Sequence, residues 1–301
     1  MKNTWHFFRL IRLLNLAVIA LTMAVFQVFV FYGDYLAWLH FDFVLLILST
    51  VLIAAAGNII NDYFDVKADR VNKPDLLIID KYIKRRWAIL FNWVFNSVGL
   101  LIALYLSWKY KILLLAIIPF ICINLLWFYS VYFKRTLILG NVIVAFLTAI
   151  VPLYILLFNK HISVFHYHGA IVLIFAGYAF WLNLIREIVK DIADVEGDRL
   201  LGSKTLPITF GIKTTRIILI VCYAIGIIPL AYFMYQGISM LDLIRTVKTA
   251  YAILTLTTLV IVFMLASMFL LTKNANRSRY LLSANLLKVA MFFGLLIPLF
   301  L

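Results

Sequence analysis

Nine long apolar runs, each near the roughly 20 residues that a helix needs to cross a bilayer, constrain this chain more than anything else in it. They extend from Leu13 to Tyr32, Phe43 to Ile60, Trp87 to Trp108, Ile112 to Phe133, Leu137 to Phe158, Gly169 to Ile185, Ile217 to Tyr235, Ala250 to Leu271 and Leu281 to Leu301. An open sheet could not satisfy its backbone in lipid, so each run is expected to be a helix. The expected fold class is therefore all-α, a polytopic membrane protein with nine transmembrane helices. Of the 301 residues, 65% are hydrophobic and 13% charged, against about half and about a quarter in soluble domains. That excludes a large extramembrane domain, and residues 1–301 read as one domain. The first run is too long for a cleaved signal peptide, lacks a small-residue cleavage site and leads into further spans. Cys122 and Cys222 lie in apolar runs, with neither metal-ligand spacing nor a disulfide pattern. Nothing in the sequence speaks to oligomeric state.

A net charge of +14 would suggest a nucleic-acid partner for a soluble protein. Here it follows the loops. With the N-terminus inside, the tail and the loops after spans 2, 4, 6 and 8 hold 21 of the 27 Lys and Arg residues. Lys109, Lys111, Lys160, Arg245 and Lys248 fall outside, and Lys288 lies within the last span. The positive-inside rule then puts the N-terminus in the cytoplasm of a cell-membrane protein, and no nucleic-acid partner is expected.

The acids carry more information, because they are expensive near lipid and do little for topology. Ten of thirteen stand in two groups on the same side: Asp62, Asp65, Asp69, Asp75 and Asp80 after span 2, and Glu187, Asp191, Asp194, Glu196 and Asp198 after span 6. Asp34, Asp42 and Asp242 lie on the other side. If span 2 continues as a helix, Asn61, Asp65 and Asp69 share one face, with Asp62 beside it. Glu187, Asp191, Asp194 and Asp198, at steps of four, three and four, make a second face. Like charges at this spacing repel, so a cation is expected between them. Oxygen donors without His or Cys favour a hard ion, and Mg²⁺ in particular combines one or two carboxylates with substrate phosphates. The interleaved Arg186, Lys190 and Arg199 suit a diphosphate. Taken singly, Asp75, Asp80 or Glu196 reads as a solvated cap or surface ion pair. Calcium-loop spacing is missing, as is a phosphate-cradling glycine loop.

These motifs resemble those of the UbiA superfamily of intramembrane prenyltransferases. Asn61, Asp65 and Asp69 fit its NxxxDxxxD signature and Asp194 and Asp198 its DxxxD signature, ahead of Gly202-Ser203-Lys204-Thr205-Leu206-Pro207. Arg9, Arg12 and Asn15 resemble its N-terminal Arg-x-x-Asn segment, and Tyr129-Ser130 with Lys134-Arg135 its Tyr-Ser and basic segment. The resemblance implies nine helices around a central cavity and two Mg²⁺ ions held by Asn61, Asp62, Asp65, Asp69, Asp191, Asp194 and Asp198. It makes Asp65, Asp69, Asp194 and Asp198 catalytic. It further implies a prenyl diphosphate bound by Arg70, Lys73, Lys134, Arg186, Lys190, Lys204 and Tyr129, and a hydrophobic acceptor near Arg9, Arg12 and Asn15. Arg186 to Asp198 most resembles the branch that prenylates geranylgeranylglyceryl phosphate, with Arg9, Arg12, Lys134 and Arg135 as cations for the acceptor's phosphate. Aromatic-acid prenyltransferases share the Asp pattern and are the alternative. Tyr63, Phe64, Tyr129, Tyr178 and Trp181 stand near the right span ends to stabilise an allylic cation, although each also suits packing. The chain departs from the family at Leu76-Leu77-Ile78-Ile79, where an Arg often follows Asp75; Lys73 or Arg70 would substitute.

Other classes fit less well. A cation-coupled transporter would place its carboxylates near the midplane beside broken helices, without interleaved bases. A phosphatidyl-alcohol transferase would carry an Asp-Gly…Ala-Arg run that is not present. His161, His166 and His168 lack a fourth zinc ligand.

Overall fold

The computed structural model describes residues 2–32, 39–159, 167–239, 247–272 and 275–301. These contain α1 (Lys2–Leu10), α2 (Leu13–Val25, continued by a π-helical stretch Phe26–Tyr32), α3 (Phe41–Asn72), α4 (Arg85–Tyr110), α5 (Leu114–Val131) and α6 (Leu139–Phe158). The chain goes on through α7 (Tyr167–Ala193), α8 (Val195–Leu200), α9 (Leu206–Thr209), α10 (Gly211–Ser239), α11 (Val247–Phe269) and α12 (Arg277–Leu296). Among the described residues nine helices are long and apolar enough to cross a membrane, one for each apolar run. The chain is an integral membrane protein. Lys160, Arg245 and Lys273 of the charge count, Asp34 and Asp242, and His161 and His166 lie outside the described residues.

Short α1 is not a span. Its Phe7 packs on Phe91 and Phe95 of α4 while Trp5 is exposed. The chain turns into α2 at Arg12, whose φ of 56° is in the left-handed region that a residue with a side chain adopts at a cost. The bend is tied to α3 by Asn58, whose Nδ2 donates to the Ile11 carbonyl at 2.9 Å. α3 packs along α4 and α5, α6 along α7, and α12 along both α11 and α7. Lipid gives no hydrophobic drive between helices, so close approach and polar ties carry the packing. Between α3 and α4, Ser49 Oγ donates to the Gly99 carbonyl at 2.7 Å and Asn92 Nδ2 to the Ala56 carbonyl at 2.9 Å.

Candidate active site

No Gly or Pro interrupts Asn58 to Lys73, so α3 overruns its apolar run and stops at Asn72, ahead of Pro74. The overrun places Asn61, Asp65 and Asp69 on one face, and each α3 acid meets a base. Arg12 Nη2 is 2.7 Å from Asp62 Oδ1, and Lys73 Nζ is 3.1 Å from Asp69 Oδ1. Lys134 Nζ pairs with Asp65 and lies 3.4 Å from Asn61 Oδ1. Lys134 sits in a 3-10 turn, Phe133–Arg135, between α5 and α6. Gly140 of α6 lies against this turn: a Cβ there would stand 2.6 Å from the Phe133 carbonyl and 2.9 Å from Lys134 Cα. Burial opposes the charge on Lys134, but Asp65, Tyr129 and Asp69 together hold its pKa above the usual lysine range.

The second acidic face is built differently from the sequence expectation. α7 carries Glu187 and Asp191 and ends at Ala193; Asp194, with φ −106° and ψ 10°, leads into α8. The hydrogen-bond ladder nevertheless continues, with the Asp194 N–H on the Lys190 carbonyl at 2.9 Å and the Asp198 N–H on the Asp194 carbonyl at 3.0 Å. The break adjusts the face without dispersing its acids. Arg186 and Lys190 both pair with Glu187, Lys190 at 2.9 Å. Asn141 Nδ2 of α6 donates to Asp191 Oδ2 at 2.8 Å, and Arg277 Nη2, from the first turn of α12, lies 3.0 Å from Asp194 Oδ1.

The two motifs meet. Asp198 is buried, and its pKa is pushed up to about 6 by that burial and by Asp194 and Asp65, against the pull of Lys134 and Lys190. Asn72 joins the backbones: its Nδ2 donates to the Asp194 carbonyl at 3.1 Å and its Oδ1 accepts from the Gly197 N–H at 3.0 Å. A Cβ on Gly197 would run into the Asn72 amide and stand 2.9 Å from the Ala68 carbonyl. Glycine is what lets α8 lie on α3. Above this joint a small polar pocket is lined by Tyr129, Lys134, Gly140, Asn141, Glu187 and Asp191.

Several sequence-derived residues stand apart from this cluster. Arg70 is exposed and lies 3.6 Å from Asp80, which Arg85 also holds at 3.0 Å. The Lys204 side chain is exposed, although its N–H donates to the Arg135 carbonyl at 2.8 Å. Arg9 is half-buried on α1. Asn15 meets Lys288 of α12 at 3.5 Å. Tyr178 and Trp181 line a groove with Ile225 and Gly226 of α10. Phe64 packs on Trp127 and Arg85 lies over the Tyr63 ring. Conversely, Asn72, Asn141 and Arg277 join the cluster without having been singled out. Asn141, a polar residue within an apolar run, was the available signal; Arg277 reads in sequence as loop charge.

Among the described residues no group of three His, Cys, Asp or Glu side chains is set to hold a metal by itself. The donor chemistry still fits Mg²⁺, which shares its coordination between a carboxylate or two and phosphate oxygens. Burial opposes the charge on Asp198, so its ionised form gains from any cation set beside it.

Comparisons with known proteins place this architecture. The profile of the UbiA prenyltransferase family matches residues 17–296. Digeranylgeranylglyceryl phosphate synthase of Methanosarcina mazei is 33% identical over 257 residues, 84% of this chain and 79% of that protein. The Pyrococcus horikoshii protein of the same name is 39% identical over 179 residues. That match takes in 58% of this chain and 59% of the relative, so the chain spans about six-tenths of that relative's length. A UbiA homologue from Archaeoglobus fulgidus, solved bound to DMAPP and Mg²⁺, is 20% identical and superposes with a TM-score of 0.61 over 95% of this chain and 97% of its own. At that identity the likeness speaks for the fold. With the profile matched nearly end to end and a relative one-third identical over most of its length, the chain belongs to the UbiA prenyltransferase family.

Proposed function

We propose that residues 1–301 act as one intramembrane prenyltransferase domain that moves a geranylgeranyl group from its diphosphate to the free hydroxyl of a prenylglyceryl phosphate. The observation that carries this reading is the meeting of two acidic motifs in which Lys or Arg already pairs with Asp62, Asp65, Asp69 and Asp194. Such a site is organised for an oxyanion cluster and its counter-ions. The acceptor assignment follows the two archaeal relatives named above. The basic loops argue for a site and N-terminus facing the cytoplasm of the cell membrane.

Two Mg²⁺ ions would be held by Asn61, Asp62, Asp65 and Asp69 on α3 and by Asp191, Asp194 and Asp198 beyond. Bound there, they supply charge neutralisation to the leaving diphosphate. Lys134, Lys73 and Arg277 stand beside these acids and can turn their N–H donors to phosphate oxygens, stabilising the charge that develops as the carbon–oxygen bond breaks. Heterolysis sends the electron pair to the diphosphate and leaves an allylic cation. Tyr129 offers a ring face to that cation, and the apolar helices keep water from it. The acceptor's hydroxyl oxygen bonds to the prenyl carbon, and its proton passes to the released diphosphate.

Membranes holding the protein, given labelled geranylgeranyl diphosphate and a panel of acceptors, test this directly by product mass. The expected product is the diether phosphate, lost on chelating Mg²⁺. Labelling of a hydroxybenzoate or naphthoate alone would overturn the acceptor assignment, and no consumption of prenyl diphosphate would overturn the activity.

A further inference from the structure

The short helix α1 carries side chains that the transfer site does not use. Its Phe7 meets Phe91 and Phe95 of α4, with ring centroids 5.0 and 6.2 Å away. Those two residues stand about 6 and 12 Å along α4 beyond Trp87, where the apolar run begins, at 1.5 Å per residue. Leu10 and Ile11 are buried in the same core, with Ile59 and Ile79. On another side of α1 the His6 ring stacks on Tyr82 of the loop between α3 and α4, with 3.5 Å between centroids and 8° between planes. Trp5 and Phe8, one helical turn apart, share a third side and are 64% and 41% exposed. Arg9, a turn after Trp5, is half-buried, and among the described residues no carboxylate pairs with it. Only Ile11 and Arg12 separate α1 from the span α2, so no linker lets α1 leave the membrane.

An interfacial helix sinks its apolar side roughly 5–10 Å into the boundary between headgroups and acyl chains. Phe7 reaches that depth on α4. Tryptophan favours the same level, and a basic side chain beside it extends to headgroup phosphates. A water-soluble partner would have to descend as far to cover Trp5 and Phe8. We propose that α1 is an in-plane anchor seated in the leaflet next to the site, with Trp5 and Phe8 in lipid and Arg9 among lipid phosphates, and that this seat holds Arg12 on Asp62. The link to the site runs through the bend. Arg12 takes φ 56° and ψ 56°, a left-handed conformation that is costly for a residue with a side chain. Two ties from α3 keep it there: Asn58 on the Ile11 carbonyl at 2.9 Å and Asp62 on the guanidinium at 2.7 Å. If α1 lifts from the lipid, the bend relaxes and Arg12 leaves Asp62. The seat itself stands apart from the transferase reading; its effect on turnover rests on that reading.

The test uses the full chain in vesicles of phosphatidylcholine and phosphatidylglycerol. In a background lacking Cys122 and Cys222, a nitroxide is attached at Phe8→Cys, and its relaxation by oxygen is compared with that by a water-soluble nickel chelate. Lys81→Cys, at an exposed loop position, is the aqueous reference. Oxygen should dominate at position 8, at a depth of about 5–10 Å below the phosphates, and the chelate at position 81. Dominance of the chelate at both positions, or a probe at position 8 hidden from both reagents as under a protein partner, overturns the anchor. Separately, Trp5→Ser combined with Phe8→Ser should lower product formation in the same vesicles about tenfold, through displacement of a group at the site. Trp5→Leu combined with Phe8→Leu keeps an apolar seat and should restore most of it. Size-exclusion chromatography and the melting temperature check that both pairs are folded. Undiminished activity in the serine pair overturns the link to Arg12, and equal loss in both pairs overturns the lipid seat in favour of a specific side-chain contact. A wild-type protein that consumes no prenyl diphosphate overturns the transferase reading and leaves the depth measurement standing.

Discussion

Asp65 and Lys134 pair at the centre of the cluster, and each is the other's counter-charge in a half-dry setting. Asp65→Asn leaves Lys134 without it, which is destabilising where charge is buried. Product formation should fall about 100-fold or more, the scale of losing one preorganised electrostatic group, and the melting temperature should drop. Adding Lys134→Met to that variant should recover the melting temperature but not the activity; assaying both quantities in the double variant checks the assignment. Asp194→Ala should likewise abolish transfer without preventing membrane insertion, and full activity there would sink the two-motif reading. Asp198, with its pKa pushed up to about 6, sets a pH dependence. Its carboxyl carries a proton below that value, and a metal ion must displace the proton to bind. Mg²⁺ affinity measured by calorimetry should therefore fall by up to about tenfold per unit as the pH drops below 6.

At the scale of elements, the site depends on backbones coming closer than side chains normally allow. Gly197→Ala would force α8 from the end of α3 through the Asn72 amide, and Gly140→Ala would push the turn that carries Lys134. Each should lower turnover by about 10- to 100-fold through misplacement of groups far more than through lost stability. Gly177 of α7 is the control, because a Cβ there meets nothing within 4 Å. Gly177→Ala should keep full activity and, in a helix interior, melt no lower than the parent. Comparing product rates of the three alanine variants at equal folded protein checks this. The overrun of α3 beyond the apolar run has the same origin: an unbroken helical stretch delivers three oxygen-bearing side chains to one face, and Asn72 then fastens its last turn to the second motif.

For the molecule as a whole, orientation is open to a direct experiment. In a background lacking Cys122 and Cys222, Lys81→Cys and Lys111→Cys should be labelled by an impermeant maleimide from opposite sides of the membrane, Lys81→Cys from the cytoplasm. Labelling of both from one side would break the nine-span topology. Much of this was readable in the residues, because lipid leaves a long apolar run only one way to satisfy its backbone. The step-of-four acids were equally readable, since helical periodicity is local and survives even the break at Asp194. What could not be read were the partners of those acids. Lys134 and Arg70 look equally suited to the site and Arg277 reads only as loop charge, yet Lys134 and Arg277 reach the carboxylates and Arg70 turns to Asp80. Which base meets which acid depends on where separate helices end in space, and no local pattern encodes that. The sequence by itself determined the spans, the family and the two acidic faces, since solvation and periodicity act along the chain. The tertiary structure alone decided that the faces meet through Asn72 and Gly197 and that Arg277 reaches Asp194, because those are distances between residues far apart in the chain.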